Sequence, residues 1–195
     1  GVAAGSGCVG PPRASPVPLN SPRRVTKYRR RPTYAPVGFV ATFATLEDAL
    51  SAVRGITQAM RPSMLEFMDR VSINAVEDVT KMGLDRTAAA MLVVQSDEPA
   101  GHAGVEIAQV EALCALSNAT ECFFTDDLEE GEAFVVARRI AIPSVQKMGT
   151  VLMEDVGVPL PRLGDLVMGI EQISQHRDVI IAVIAHAGDG NTHPL

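Results

Sequence analysis

Two histidines, His186 and His193, stand seven positions apart in the segment HAGDGNTHP. Imidazole nitrogens are common metal ligands, and two of them on one zinc ion must approach each other to about 3 Å. An extended strand would separate the two positions by more than roughly 20 Å, and a helix would separate them by roughly 10 Å along its axis. Only a reversal of the chain between them can therefore bring the two rings together.

The residues between the two histidines favour such a reversal. Gly188 and Gly190 tolerate positive φ, and Asp189 and Asn191 form hydrogen bonds with nearby backbone. An ordinary hairpin turn with incidental polar residues is the alternative, although such a turn needs only one or two of these residues. The concentration of polar groups favours a functional turn, while the spacing alone leaves both interpretations open.

Two imidazoles do not complete a catalytic metal site, because such sites use three protein ligands and leave a position open. Asp189 is either the third ligand or a residue that orients one of the histidines. The remaining histidines, His102 and His176, lie at the start and at the end of predicted helices. We expect both of them on the surface.

A pair of arginines, Arg138 and Arg139, lies near the end of another predicted helix. Adjacent helical residues point about 100° apart, so only one of the two can face a given site. A guanidinium group suits a substrate carboxylate because it donates two parallel hydrogen bonds. The alternative is an ordinary arginine whose stem covers apolar surface.

The composition is that of a globular chain with an acidic body. The sequence has 195 residues, of which 47% are hydrophobic and 21% are charged. Residues 1–32 contain seven basic residues and no acid, so subtracting seven from the net charge of -6 leaves -13 for the rest. An acidic body argues against a nucleic-acid partner, and the absence of Trp leaves few aromatic rings on which single strands could stack.

The cysteines and the hydropathy pattern indicate a cytoplasmic protein. Cys8, Cys114 and Cys122 lack the spacing of metal ligands, and we interpret them as reduced thiols. No apolar run reaches the roughly 20 residues that cross a bilayer, so no transmembrane segment is expected. The first residues also lack the basic and apolar regions of a signal peptide.

The chain divides into a Pro- and Gly-rich segment, residues 1–36, and a folded domain, residues 37–195. The first segment is predicted to be a linker or the remnant of a preceding domain. The predicted strands are VGFVATF, PSMLEFMDR, AAAMLVVQSD, ATECFFTDD and DVIIAVIAHAG, with an extended VLMEDVGVP. The predicted helices are TLEDALSAVRGITQAM with a Thr45–Asp48 capping box, VSINAVEDVTKMG, AGHAGVEIAQVEALCALS, DLEEGEAFVVARRIAI ending near Pro143, and a helix with Leu160, Leu163, Val167, Ile170 and Ile173 on one side.

Two strand–helix–strand halves of this size predict an α+β fold. We expect a ferredoxin-like antiparallel sheet with helices packed on one face, rather than a doubly wound parallel sheet. The sequence stops four residues after Asn191 of the glycine-rich turn, with no element to follow its most apolar strand. We therefore expect the domain to be truncated at its C-terminus.

Several of these segments together resemble one known family. HAGDGNTHP resembles the signature of the FAD-linked oxidase C-terminal (cap) domain, found in glycolate oxidase flavin subunits, D-lactate dehydrogenases and D-2-hydroxyglutarate dehydrogenases. LEFMDR, MLVVQSD, ARRIAIPSV and EDVGVPLPRL support the resemblance, which covers roughly residues 25–195 in order. RVTKYRRRP is similar to the last strand of the family's FAD-binding domain.

The resemblance implies that the complete protein oxidises a D-2-hydroxy acid to the 2-oxo acid, with hydride transfer to FAD. FAD would be bound mainly by an upstream domain, while this cap domain would cover the flavin ring and help to form the substrate pocket. His186 and His193 would bind a divalent metal, Zn, Mn or Fe, near the substrate oxygen. Arg138 would hold the substrate carboxylate, and Asn191 would lie beside the substrate or the flavin.

The sequence also departs from the family pattern. The family's acidic metal ligand and catalytic histidine occur in a Gly-Glu-His-Gly motif that this chain lacks. We therefore expect no catalytic residue in this chain and no turnover by the fragment alone. Met153 stands where the 2-hydroxyglutarate branch has a carboxylate-binding Lys, which disfavours a dicarboxylate substrate. An iron–sulfur partner subunit and self-association through exposed apolar surface are further expectations.

Two other functions compete with the oxidoreductase interpretation. A ferredoxin-like regulatory module could bind a small ligand or metal at the same turn without redox activity. A metal-dependent hydrolase is less favoured, because the sequence offers no convincing third ligand or general base. An upstream flavin domain and a downstream Gly-Glu-His-Gly motif in the reading frame would distinguish the oxidase from both.

Overall fold

The computed structural model describes residues 37–99 and 101–195. The strands are β1 (Val37–Phe43), β2 (Met64–Asp69), β3 (Ala90–Ser96), β4 (Ala119–Thr125), β5 (Val156–Gly157), β6 (Val183–His186) and β7 (Asn191–Pro194). The helices are α1 (Leu46–Ala59), α2 (Arg70–Thr80), α3 (His102–Leu116), α4 (Leu128–Arg139), α5 (Ala141–Gln146) and α6 (Leu163–Arg177), with a 3₁₀ turn at Leu160–Arg162. The predicted linker over residues 1–36, including Cys8 and RVTKYRRRP, lies outside the described residues.

All the strands belong to one antiparallel sheet in the order β4-β1-β3-β2-β6-β7-β5. The first four strands have the ferredoxin-like arrangement, in which α1 connects β1 to β2 and α3 connects β3 to β4. Strands β6, β7 and β5 then extend the sheet beyond β2. The predicted α+β class and antiparallel sheet are confirmed.

Helices cover both faces of this sheet, and the expectation of one covered face describes only α1, α3 and α6. These three pack with Phe39, Phe67 and Leu92 in one core. On the opposite face, α2, α4 and α5 pack with Met68, Met91 and other apolar residues in a second core. The interior strand β3, between β1 and β2, is apolar on both of its faces, so each face must bury against its own helical layer.

Helix α1 begins where the sequence predicts. Thr45 is its N-cap, and the Thr45 hydroxyl accepts a hydrogen bond of 3.1 Å from the backbone N–H of Asp48. The Asp48 carboxylate in turn accepts a bond of 2.6 Å from the same hydroxyl. This cap satisfies a helix N–H that has no partner within the helix.

Three predicted segments have different bounds in the structure. The helix expected to end near Pro143 instead ends at Arg139, and Pro143 lies in the first turn of α5, where its missing N–H costs nothing. The strand DVIIAVIAHAG is reduced to the four residues of β6, which pair with β7, and Ala182 beside them exchanges backbone hydrogen bonds with Leu195. The extended VLMEDVGVP contributes only the two residues of β5.

The described residues contain no helix that is both long enough and apolar enough to cross a membrane. Cys114 is buried in α3 and Cys122 is exposed on β4, and both are free thiols.

Candidate functional site

The two histidines of the HAGDGNTHP segment lie on a hairpin formed by β6 and β7. His186 stands opposite Asn191, and His193 stands opposite Ile184. Alternation along each strand therefore places both imidazoles on the same face of the sheet, the face covered by α2, α4 and α5. The chain reversal predicted from the sequence is confirmed.

Gly190 makes the tight turn possible. Its φ is 85°, and a Cβ atom at this position would clash with the carbonyl oxygen of Val158. The N–H groups of Asp189 and Gly190 both donate to the His186 carbonyl at 3.1 Å. The Asp189 carboxylate accepts a bond of 3.0 Å from the Asn191 N–H, so this side chain shapes the turn.

The rings of His186 and His193 meet edge to face, with centres 5.4 Å apart and planes at 84°. Two imidazoles that bind one tetrahedral zinc ion at about 2.1 Å have their centres roughly 5 Å apart. The two rings therefore fit a shared metal ion, although the same separation is typical of an ordinary aromatic pair. Within residues 37–99 and 101–195, no three His, Cys, Asp or Glu side chains converge as a complete metal site.

A buried carboxylate, Glu66, lies directly beside His186. Strand β2 directs Leu65 and Phe67 into the core on the other face and turns Glu66 toward the histidines. The Glu66 side chain is only 9% exposed. A carboxylate at this depth requires hydrogen-bonding partners for both of its oxygens.

Arg138 supplies one of these partners from α4. Its Nε donates to Glu66 Oε2 at 2.8 Å, and the arginine side chain is 14% exposed. The neighbouring Arg139 points away and pairs with Glu132 at 2.7 Å, where both side chains are more than half exposed. The structure thus assigns the inward position of the arginine pair to Arg138.

His186 supplies the second partner of the carboxylate. Its Nδ1 lies 2.8 Å from Glu66 Oε1, and since an ionised carboxylate only accepts, a hydrogen bond between them requires a proton on Nδ1. Arg138 Nη2 lies 3.0 Å from Nδ1 and 3.2 Å from Nε2, and in the neutral ring with Nδ1 protonated it can donate only to the lone pair on Nε2. A metal ion at Nε2 would compete with that arginine donor. We call Glu66, Arg138 and His186 the Glu66 cluster.

The other predicted site residues have distinct surroundings. His193 is largely buried, and its Nδ1 lies 3.6 Å from the exposed carboxylate of Asp155. Asn191 is half-buried on the face that carries His186. Asp189 is exposed, and its bond to the turn supports neither of its two predicted roles toward the histidines. His102 and His176 are exposed, as predicted.

Glu66 is the residue that sequence reasoning missed. Its signal was an acidic residue inside the otherwise apolar strand LEFM, where a charge is expected only with a partner. The partner could not be named, because Arg138 follows it by 72 positions and His186 by 120.

Comparison with known proteins identifies the family. The family described as "FAD linked oxidases, C-terminal domain" matches residues 32–195. The chain belongs to this family. The resemblance seen in HAGDGNTHP and its supporting segments is therefore confirmed over most of the sequence.

Two groups of curated proteins share the family's sequence pattern with this chain. The glycolate oxidase subunit GlcD of Bacillus subtilis is 31% identical over 157 residues, which cover 80% of this chain and 33% of that protein. GlcD of Escherichia coli K12 is 32% identical over 158 residues. The mitochondrial D-lactate dehydrogenase [cytochrome] of Arabidopsis thaliana is 25% identical, covering 79% of this chain and 28% of that protein.

The chain spans about a third of the length of these curated FAD-linked oxidase relatives. Among solved structures, an alkyldihydroxyacetonephosphate synthase matches with a TM-score of 0.56 at 14% identity, over 82% of this chain and 35% of that one. This likeness supports the fold alone.

Proposed function

We propose that this chain is the cap domain of an FAD-dependent oxidoreductase that converts a D-2-hydroxy acid, such as glycolate or D-lactate, into the 2-oxo acid. The observation that carries the proposal is the Glu66 cluster, in which a nearly buried guanidinium group lies beside the histidine hairpin. The similarity to GlcD and to a D-lactate dehydrogenase supports the same substrate class. A partner subunit belongs to the proposal because the B. subtilis relative is named a subunit. The iron–sulfur centre of that partner follows only from the family resemblance.

Arg138 is the proposed site for the substrate carboxylate. Its Nε and Nη2 already contact Glu66 and His186, while Nη1 has no hydrogen-bond partner among the described residues. The N–H groups of Nη1 can therefore donate to one carboxylate, which suits a monocarboxylic acid. Met153, in the place of a second cationic side chain, is half exposed and offers no charge to a dicarboxylate.

The histidine hairpin is the proposed place for the substrate hydroxyl. His186 and His193 would hold a divalent cation, which lowers the pKa of a hydroxyl bound to it. FAD, which the resemblance places mainly in another domain of the complete protein, would supply the hydride acceptor. Asn191, on the same face as His186, would donate to or accept from the substrate oxygens.

The direct test uses the complete protein that contains this chain. We would record its visible spectrum and add glycolate and then D-lactate without oxygen. Loss of the flavin absorption with either acid supports the proposal and identifies the substrate. A colourless protein, or a flavin that neither acid reduces, contradicts it and favours a ligand-binding module without redox activity.

Substitution of Arg138 tests the carboxylate site. We expect Arg138→Lys to raise KM by about 10- to 100-fold, with a smaller effect on kcat, because a charged hydrogen bond contributes about 1.5–3 kcal/mol. Arg139→Lys is the matched control, since Arg139 is exposed and its side chain forms a hydrogen bond only with Glu132 among the described residues. An unchanged KM in Arg138→Lys would exclude this role.

A further inference from the structure

We propose that Glu66 is a positioning residue, whose single carboxylate fixes the orientation of Arg138 and the tautomer of His186 at the same time. The inference rests on the proposed function, since it concerns the two groups that would meet the substrate and the metal. It assigns to Glu66 no contact with either. The role of Glu66 is to hold Arg138 and His186, which lie far apart in the sequence.

The surroundings of Glu66 argue for a role in the site rather than in stability. Its strand neighbours Leu65, Phe67 and Met68 are buried apolar residues. Replacing both members of a buried ion pair by apolar side chains of similar volume is often neutral or stabilising, so such a pair is weak evidence for a role in stability. The charge at position 66 is therefore explained by what it holds, namely Arg138 and His186, each at 2.8 Å.

The bond to Arg138 determines which guanidinium edge remains available. Glu66 occupies Nε, so the plane of the planar group is fixed, and Nη1 is directed away from the bond. Without this acceptor the long side chain would regain rotamer freedom, which would have to be lost again when substrate binds. Glu66 thus prepares Arg138 for a carboxylate before any substrate is present.

The bond to His186 determines which imidazole nitrogen can bind a metal. A proton on Nδ1, held by Glu66 Oε1, leaves the lone pair on Nε2. A carboxylate behind a ligand histidine also fixes the orientation of the ring. The same carboxylate therefore links the geometry of the carboxylate site to that of the metal site.

The test compares Glu66→Gln with a matched control, Glu132→Gln, in the full 195-residue chain. Both substitutions remove the carboxylate partner of an arginine on α4, but the Glu132 pair is exposed and forms no hydrogen bond with either histidine. Nitrogen NMR reports the tautomer of His186 and the exchange rate of the Arg138 Nε–H. Titration with Co²⁺ reports metal affinity without any turnover.

In the wild-type chain we expect the His186 proton on Nδ1 and a slowly exchanging Arg138 Nε–H. Glu66→Gln should shift the tautomer toward protonation of Nε2, accelerate the Nε–H exchange and weaken Co²⁺ binding by about 10- to 100-fold. Glu132→Gln should leave all three measurements unchanged. Glu66→Asp, which keeps the charge, should retain part of the Nδ1 tautomer.

Two results would overturn the proposal. One is a wild-type His186 that carries its proton on Nε2. This measurement needs no variant, so it does not depend on whether Glu66→Gln folds. The other is a folded Glu66→Gln whose tautomer and Nε–H exchange match the wild type. The proposed function can also fail on its own. If the NMR measurements agree with our expectation but no hydroxy acid reduces the flavin of the complete protein, only the proposed function is contradicted.

Discussion

The buried carboxylate Asp69 should make the stability of the chain depend on pH in an unusual direction. Asp69 ends β2 and caps α2, where its Oδ1 accepts a 2.8 Å bond from the Ser72 N–H. Burial raises the pKa of this carboxyl from 3.8 to about 6, and the nearby charge of Glu171 adds to the rise, while the bonds from Ser72 oppose it. The folded state therefore binds a proton more tightly than the unfolded chain does.

The stability contribution of this raised pKa is fully present below about pH 3.8 and is lost as the pH rises through about 6. The difference between the two values corresponds to about 3 kcal/mol. Asn can cap a helix but has no charge to bury, so Asp69→Asn avoids this loss. Relative to the wild type, its free energy of unfolding should rise by about 2 to 3 kcal/mol between pH 4 and pH 8.

Urea unfolding, followed by circular dichroism at several pH values, measures this difference directly. Asp85→Asn is the control, because hydrogen bonds from Thr87 lower the pKa of Asp85. That variant should be less stable than the wild type by a nearly constant amount above about pH 5, and the difference should shrink as the pH falls below about 4. A constant difference between Asp69→Asn and the wild type over the whole range would refute the reasoning about Asp69.

Three further predictions concern the turn, the core and the thiols. Gly190→Ala should destabilise the chain by more than about 1 kcal/mol in urea unfolding, whereas Gly149→Ala, in open space without positive φ, should be near neutral. Phe67→Ala should cost about 3–5 kcal/mol because the ring is fully buried, and a loss below about 1 kcal/mol would contradict the core described above. In native protein at pH 8, iodoacetamide should modify Cys122 but not Cys114, because burial raises the pKa of the Cys114 thiol to about 12. Peptide mass mapping checks this, and modification of Cys114 before Cys122 would contradict the burial of Cys114.

The parts of the fold that were predictable from the sequence depend on local chemistry. Thr45 and Asp48 mark the start of α1 because a cap needs only residues three positions apart. The histidine hairpin was predictable for the same reason, since the turn residues stand between the two strands that they connect. The second helical layer was not predicted, because the apolar residues of β3 do not reveal which helices cover them.

The candidate site was only half predictable. The angle between adjacent helical residues shows that Arg138 and Arg139 diverge, but not which of them faces the sheet. That choice depends on how α4 packs over the strands, and the burial of Ala137 in the second core settles it in favour of Arg138. Glu66 was not predicted as a site residue, because its partners depend on the register of β2 with β6, which no local pattern specifies.

The sequence separations within the Glu66 cluster also constrain the order in which its contacts can form as the chain folds. Its bonds close loops of 48, 72 and 120 residues, and closing long loops is slow. During synthesis, a chain that has emerged as far as Gln146 already holds β1 to β4, α4 and α5. Glu66 and Arg138 can then pair, but His186 has still to be made. The histidine contact therefore completes the site late, after the ferredoxin-like half could have formed its own core.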